Sequence, residues 1–361
     1  MTTLTTPISC HPYTGALPAW FHTVPERVYT GQRHRPKEDA AQLEELFAQE
    51  ASRNDLILYT DEHATLRLVG IFPHDQPETA YFGFWETLND GDLNEAAFAA
   101  LMTEARRRGY RRLHGPVNFN TFQSYRVRLG QTPAWGQFDR EPVNPLYYPA
   151  LLARLGFAPV LTFESRLIRA AVVPDVYADK QQLLAGLENI SFDFIPLTPA
   201  AWEAQEPAIF ELVHAIFSAN PGYRAVPAAQ FRRLYNRAYA ERLCPYTSVL
   251  FRDRATGRLA ALSLCHPNYQ PLNLPTRQLP VFERDYPLLP YRVLLAKTVG
   301  VHPDFRQRGL MSYLGAYGMV HFREHYEEVI FCLMRSGNHS LRFTNGLPTE
   351  TAHYALCGQE L

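Results

Sequence analysis

Apolar and polar positions change period repeatedly along this chain, and each change predicts an element. Phe98, Leu101, Met102 and Ala105 recur at helical spacing and run into Arg106-Arg107-Arg108-Gly109, the basic last turn and glycine that suit a helix end. Asp92, with Glu95 three residues on, reads as the capping box that opens this helix. Leu43, Leu46 and Phe47 form another helical face after Pro36, and Phe231, Leu234, Tyr235 and Ala238 a third within a helix expected from Pro227 to Leu243. Further helices are expected at 145–155, 208–218 and from Arg306 to about His325. Shorter β-branched and aromatic runs predict strands at 55–60, 66–72, 79–87, 110–117 and 161–169, then at 190–197, 246–252, 259–265, 293–301, 328–334 and 353–360. Phe21 to Tyr29 reads as one more edge strand.

Strands and helices therefore alternate through two rounds, which is an α/β arrangement. A short echo supports duplication: Leu66-Arg67-Leu68-Val69-Gly70-Ile71-Phe72-Pro73-His74 resembles Leu259-Ala260-Ala261-Leu262-Ser263-Leu264-Cys265-His266-Pro267 at a similar place in the element order. Two domains are expected, 1–171 and 190–361, joined by a partly helical linker at 172–189. The second round carries a Pro-rich insertion, His266 to Tyr291, long enough between two strands to serve as a lid or binding loop as readily as a surface excursion.

Composition narrows the class. A chain of 361 residues with 46% hydrophobic and 20% charged positions can bury a sizeable core, and a formal net charge of -1 gives no general attraction to nucleic acid or an anionic membrane. Neither is an expected partner. Cys10, Cys244, Cys265, Cys332 and Cys357 are scattered without metal-ligand spacing, so no metal is expected. No leader pattern or membrane-length apolar run stands in the sequence, and a cytoplasmic protein is expected.

The most chemically specific stretch is Val293 to Met311. A Leu-rich strand ends at Val301, a turn follows at His302-Pro303, and Arg306-Gln307-Arg308-Gly309 opens a helix. The first N–H groups of a helix lack intrahelical partners and lie at the positive end of its dipole, so they suit a pyrophosphate. Gly309 lets backbone come close, and Arg306 and Arg308 add charge. Arg306-x-x-Gly309-x-Met311 after Val301-x-Pro303 resembles the (Gln/Arg)-x-x-Gly-x-(Gly/Ala) motif of the GNAT superfamily, the acyl-CoA-dependent N-acyltransferases. Met311 departs from the family's Gly or Ala. Asn144 through Tyr147 to Gly156-Phe157 resembles a later family segment, yet Leu88-Asn89-Asp90-Gly91 lacks the Arg or Gln three residues before glycine. The resemblance implies two tandem GNAT-like domains, each a mixed, mostly antiparallel twisted sheet flanked by helices, with the cofactor loop in the second only.

The resemblance also implies a reaction and a site. Acetyl-CoA or another acyl-CoA would be co-substrate, held by Val299, Val301, Arg306, Gln307, Arg308, Gly309, Leu310 and Met311, with Asn338 on the pantetheine arm. The acyl acceptor would be a small-molecule or peptide amine. Glu283 and Asp285 on the insertion, and His266 at its start, are candidates for the base that deprotonates the amine. The family's usual thiolate-protonating tyrosine falls at Asn345, which leaves Tyr354 or Tyr313 for that role. Two other functions fit the same architecture: a non-catalytic CoA-binding sensor or scaffold, and a Fem-type aminoacyltransferase using aminoacyl-tRNA.

Overall fold

The structure, a computed structural model, describes residues 7–361 except 33, 37, 221, 222, 276 and 277, and leaves the side chains of 174–178 and 188 undescribed. The chain divides into two compact units. The first comprises the chain up to Gly136, Arg140–Phe163 and Ala352–Leu361; the second comprises Gln137–Asp139 and Glu164–Thr351.

The first unit carries β1 (Ile8–Pro12), α1 (Ala19–Val28), α2 (Ala40–Glu50), β2 (Asn54–Asp61), β3 (Leu66–Pro73), β4 (Thr79–Thr87), α3 (Gly91–Arg107), β5 (Arg112–Gly115), β6 (Val127–Arg128), α4 (Tyr148–Arg154) and the first half of β7 (Ala158–Arg169). The second begins in the latter half of β7. It continues through α5 (Pro174–Ala185), β8 (Phe192–Pro196), α6 (Pro199–Phe217), α7 (Ala228–Leu234), α8 (Arg237–Glu241), β9 (Val249–Asp253), β10 (Leu259–Pro267), α9 (Phe282–Asp285), β11 (Val293–Val301), α10 (Leu310–His325) and β12 (Glu328–Arg335). The last strand, β13 (Glu350–Glu360), returns to the first unit from Ala352 onward.

Strand order in the first unit is β1-β2-β3-β4-β5-β13, with β4–β5 parallel and the other pairs antiparallel. In the second it is β12-β11-β10-β9-β8, again with one parallel pair, β11–β12. A parallel pair needs a crossover connection, and α3 and α10 supply it. The echoing segments fall on β3 and β10, which hold the same place in the two orders. Each sheet is thus mixed, mostly antiparallel and flanked by helices. In the first unit Phe82, Phe98 and Phe157 pack edge to face, with ring centroids 5.1, 5.2 and 5.4 Å apart, and fasten α3 to the sheet. In the second, Val249, Phe251, Ala260, Val301, Leu310 and Leu314 join β9, β10 and β11 to α10.

Several expectations change. Phe21 to Tyr29 is not a strand: Phe21, Val24 and Val28 are buried at spacings of three and four, on one face of α1. The helix after Pro36 starts later, at Ala40, where Asp39 accepts from the Gln42 N–H; Lys37 lies outside the described residues. Asp92 and Glu95 form no capping box. Asp90 caps α3 through the Leu93 N–H, while Asp92 and Glu95 both accept from Arg154, each at 2.7 Å. The helix expected from Pro227 to Leu243 breaks into α7 and α8, because the Asn236 side chain caps a new helix start at Tyr239 N–H. The segment 172–189 is no bare linker, since it forms α5 and belongs to the second unit. The strand expected at 353–360 belongs to the first unit, not the second. Its Ala355 and Cys357 join the first unit's core, and Cys357 to Glu360 pair with β5.

Candidate functional site

The site grows from a break in strand pairing. β11 pairs with β12 at Val293↔Glu328 through Ala296↔Phe331, and there the register ends although both strands continue. From Thr298 to Val301, β11 pairs with β10 alone. A bulge occurs at the same point: Leu264 faces Thr298 and Cys265 faces Ala296, so Lys297 has no partner residue on β10. Bulges re-aim side chains and end pairing, which suits a place where strands part. Backbone polar groups on the edge of Thr298–Val301 that faces away from β10 are thereby available to a ligand.

At the end of β11 the chain makes a 3-10 turn, Pro303–Arg308, fixed by His302 accepting from the Asp304 N–H and by an Arg258–Asp304 ion pair at 2.9 Å. Gly309 then adopts φ 72°, a left-handed conformation that glycine takes without the Cβ penalty, and no side chain caps α10. Arg306 and Arg308 are exposed, and among the described residues no carboxylate pairs with either. Arg306 reaches the Ile216 carbonyl near the end of α6 at 3.5 Å, and the Arg308 guanidinium stands 5.9 Å from the Phe192 ring centroid. From the end of β12, Arg335 donates to Asn220, just beyond α6, at 3.1 Å. Arg306, in the turn after β11, and Arg335, at the end of β12, thus meet the same end of α6. This sharing depends on pairing register and was not visible in local sequence.

Other expected cofactor contacts sort by what their side chains do. Val301 and Leu310 are buried in the α10 core, and Val299 and Met311 are half-buried against it. These four offer backbone to a ligand. Met311 packs its larger side chain into that same apolar cluster. Gln307 is exposed. Asn338 is also exposed, and its Oδ1 accepts from the His339 N–H at 2.9 Å as the cap of a 3-10 turn.

The proton-transfer candidates fare differently. Asp285 is 2% exposed, accepts from the Val281 N–H at 2.8 Å and is paired with Arg284, whose hydrogen bond holds its carboxyl below the usual range. It is a turn cap and not a free base. Glu283 is exposed on the same short helix. His266 is buried, with Nδ1 on the Pro267 carbonyl at 2.8 Å and Nε2 facing the Arg242 guanidinium at 3.0 Å. Burial, reinforced by Arg242, holds it well below its ordinary pKa. A neutral ring with its lone pair so engaged accepts no substrate proton. Tyr354 is fully buried in the first unit, where its hydroxyl donates to Glu141 at 2.5 Å. Tyr313 packs half-buried against the α10 core.

The corresponding place in the first unit is filled. β4 and β5 pair only from Thr79↔Arg112 to Tyr81↔His114, so they too part company. Here the chain closes its own gap: Val117 N–H donates to the Phe82 carbonyl at 2.8 Å, and the Asn118 side chain accepts from Phe84 N–H at 2.8 Å. Gly83 is so close that a Cβ there would lie 2.2 Å from the Val117 oxygen. The following helix, α3, starts with the Asp90 carboxylate on its free N–H groups, a negative charge that repels phosphate. Asn144 and Tyr147, of the segment resembling the family's, serve structure: Asn144 holds the Arg128 backbone, and Tyr147 donates to the Thr87 carbonyl at 2.8 Å.

No protein-family model matches the sequence, and no curated protein matches it. Solved structures do match. A tandem GNAT protein from the clavulanic acid biosynthesis pathway aligns over 98% of both chains with a TM-score of 0.51 at 14% identity. A GCN5-related N-acetyltransferase from Kribbella flavida aligns over 100% of this chain and 73% of its own, with TM-score 0.52 and 9% identity. A conserved Enterococcus faecalis protein described as a probable N-acyltransferase aligns over 98% and 72%, with TM-score 0.51 and 8% identity. At such identities the likeness concerns architecture, and it spans both units. The chain has the GNAT fold in its tandem form.

Proposed function

We propose that the protein is an acyl-CoA-dependent N-acyltransferase with one cofactor site, in the second unit, and that acetyl-CoA is its donor. The observation that carries this reading is the open gap between β11 and β12 leading to the uncapped start of α10. Arg306, Arg308, the Gly309 turn and the first N–H groups of α10 would hold the pyrophosphate, and the edge of Thr298–Val301 that faces away from β10 would hold the extended arm. The co-substrate supplies an acyl group activated as a thioester. A backbone N–H on that edge would donate to the reacting carbonyl oxygen, a preorganised interaction worth about 3 kcal/mol in other enzymes.

In the transfer the amine nitrogen bonds to the acyl carbon, the C–S bond breaks, and the amine proton leaves as the thiolate gains one. A lysine-like amine is protonated below pH ~10, so deprotonation is needed first. The candidate side chains are otherwise engaged or exposed, which favours water in the open gap as the carrier of that proton. The acceptor is proposed to be a small-molecule or peptide amine. A thiol-release assay with acetyl-CoA and a panel of amines tests the reading: acceptor-dependent CoA release is expected. CoA binding without release for any amine would favour a sensor or scaffold. Salt-sensitive tRNA binding would favour aminoacyl transfer.

A further inference from the structure

The first unit buries arginines in two different ways. Arg67 is 1% exposed and has a carboxylate partner, with both terminal nitrogens on the Glu38 carboxylate at 2.9 and 2.6 Å and one also on the Phe21 carbonyl; only its Nε lacks an acceptor. Arg126 and Arg128, beside and within β6, have no such partner. Arg128 is 3% exposed; its Nη2 donates to Thr132 at 3.0 Å, while its Nε and Nη1 are buried without any acceptor. The Arg126 guanidinium carbon stands 3.6 Å from the Tyr125 centroid and 4.0 Å from that of Phe163, two rings set nearly perpendicular to each other. It donates to the Tyr125 hydroxyl, and its Nε is buried without an acceptor.

The two side chains share surroundings. Tyr354 stands directly opposite Arg128 across the antiparallel β6–β13 pair, so both project from one face of the sheet, and Tyr354 is within electrostatic reach of Arg126. Among the described residues neither guanidinium has a carboxylate within ion-pair distance; Glu141, the acid nearest Tyr354, takes that hydroxyl. The framework is rigid, because Asn144 grips the Arg128 backbone at both N–H and carbonyl, at 2.7 and 3.2 Å. Buried cations and unmet donors are expensive, and a bound anion is one way such donors are met.

We propose that Arg126 and Arg128 form a binding site in the first unit for a compact oxyanion, the carboxylate or phosphate group of a small molecule. Planar, permanently charged guanidiniums suit both groups. The site is independent of the acyl-CoA reading, since none of its residues belongs to the α10 turn.

Thermal shift at matched ionic strength tests it, comparing chloride, acetate and inorganic phosphate. The wild type should show a saturable rise of several degrees with acetate or phosphate over chloride, and which one acts identifies the group. An Arg306→Glu/Arg308→Glu variant, disabled at the other phosphate-attracting turn, should keep a saturable response to acetate or phosphate over chloride. Arg126→Met and Arg128→Met should lose the response. Crystals of the wild type soaked in selenate or 4-bromobenzoate give a second readout that needs no folded variant: an anomalous peak within hydrogen-bond distance of the two guanidiniums is expected. Equal response to all three anions, an unchanged response in both Met variants, or no such peak overturns the proposal.

Discussion

Arg306 and Arg308 keep their charge available because their neighbourhood supplies no carboxylate; Asp304, the acid two residues before Arg306, is taken by Arg258. Local spacing sufficed to find them. The acid–base candidates were not legible in the same way, since what decides them lies far away in the chain or in a turn's fine geometry. Asp285 is spent on its own helix turn, His266 on Arg242, and Tyr354 on a strand that crosses to the other unit. One displaced carboxyl was unsuspected: Glu86 on β4, raised to about 7 from 4.5 by burial against the opposing pull of Arg67, with Tyr148 donating to it at 2.7 Å. Its folded pKa lies above the unfolded one, so ionising it costs stability. The cost is absent below about pH 4, grows as pH rises, and is complete above about pH 7, where the gap corresponds to roughly 3 kcal/mol. Glu86→Gln should therefore be more stable than wild type at pH 8 and nearly equal at pH 4, as chemical denaturation at the two pH values will read. Equal differences at both would contradict the burial account.

At the scale of elements, the two crossover helices differ where it matters. α3 begins on the Asp90 carboxylate and α10 on Gly309 with no cap. Asp90→Ala should cost about 1 kcal/mol, measured as a lower denaturation midpoint, with acyl-CoA affinity unchanged. Gly300 on β11 lies against α6, where an added Cβ would come within 2.6 Å of the Ile216 side chain. Gly300→Ala should cost about 1–3 kcal/mol and weaken acyl-CoA binding, because it pushes α6 away from the open edge. Binding unaffected by that change would separate α6 from the site. Strands β2, β3 and β4 were legible almost to the residue, because turns interrupt their runs of β-branched and aromatic residues. α1 was misread because its aromatic and valine residues also suit a strand. Where β11 and β12 part has no short sequence signature, since register depends on two strands at once.

Across the whole molecule the sheet is built twice, and the proposed single site follows from where the two copies differ. The first copy closes its strand gap with Val117 and Asn118; the second leaves its gap open and follows it with the arginine turn. The repeat was readable from element order and from the echo between β3 and β10. The return of β13 to the first unit was not, because a strand's sequence states that it pairs and not with which neighbour. Among the described residues no helix is long and apolar enough to cross a membrane, and no cluster of His, Cys, Asp or Glu could hold a metal ion. The central claim, one acyl-CoA site in the second copy, is tested most directly by calorimetric titration of acetyl-CoA into the wild type and Arg308→Glu. One molecule bound per chain is expected, with affinity falling at least ~10-fold in the variant, about 1.4 kcal/mol, and no change in melting temperature without ligand. Two molecules per chain, no binding to the wild type, or unchanged affinity in the variant would contradict it.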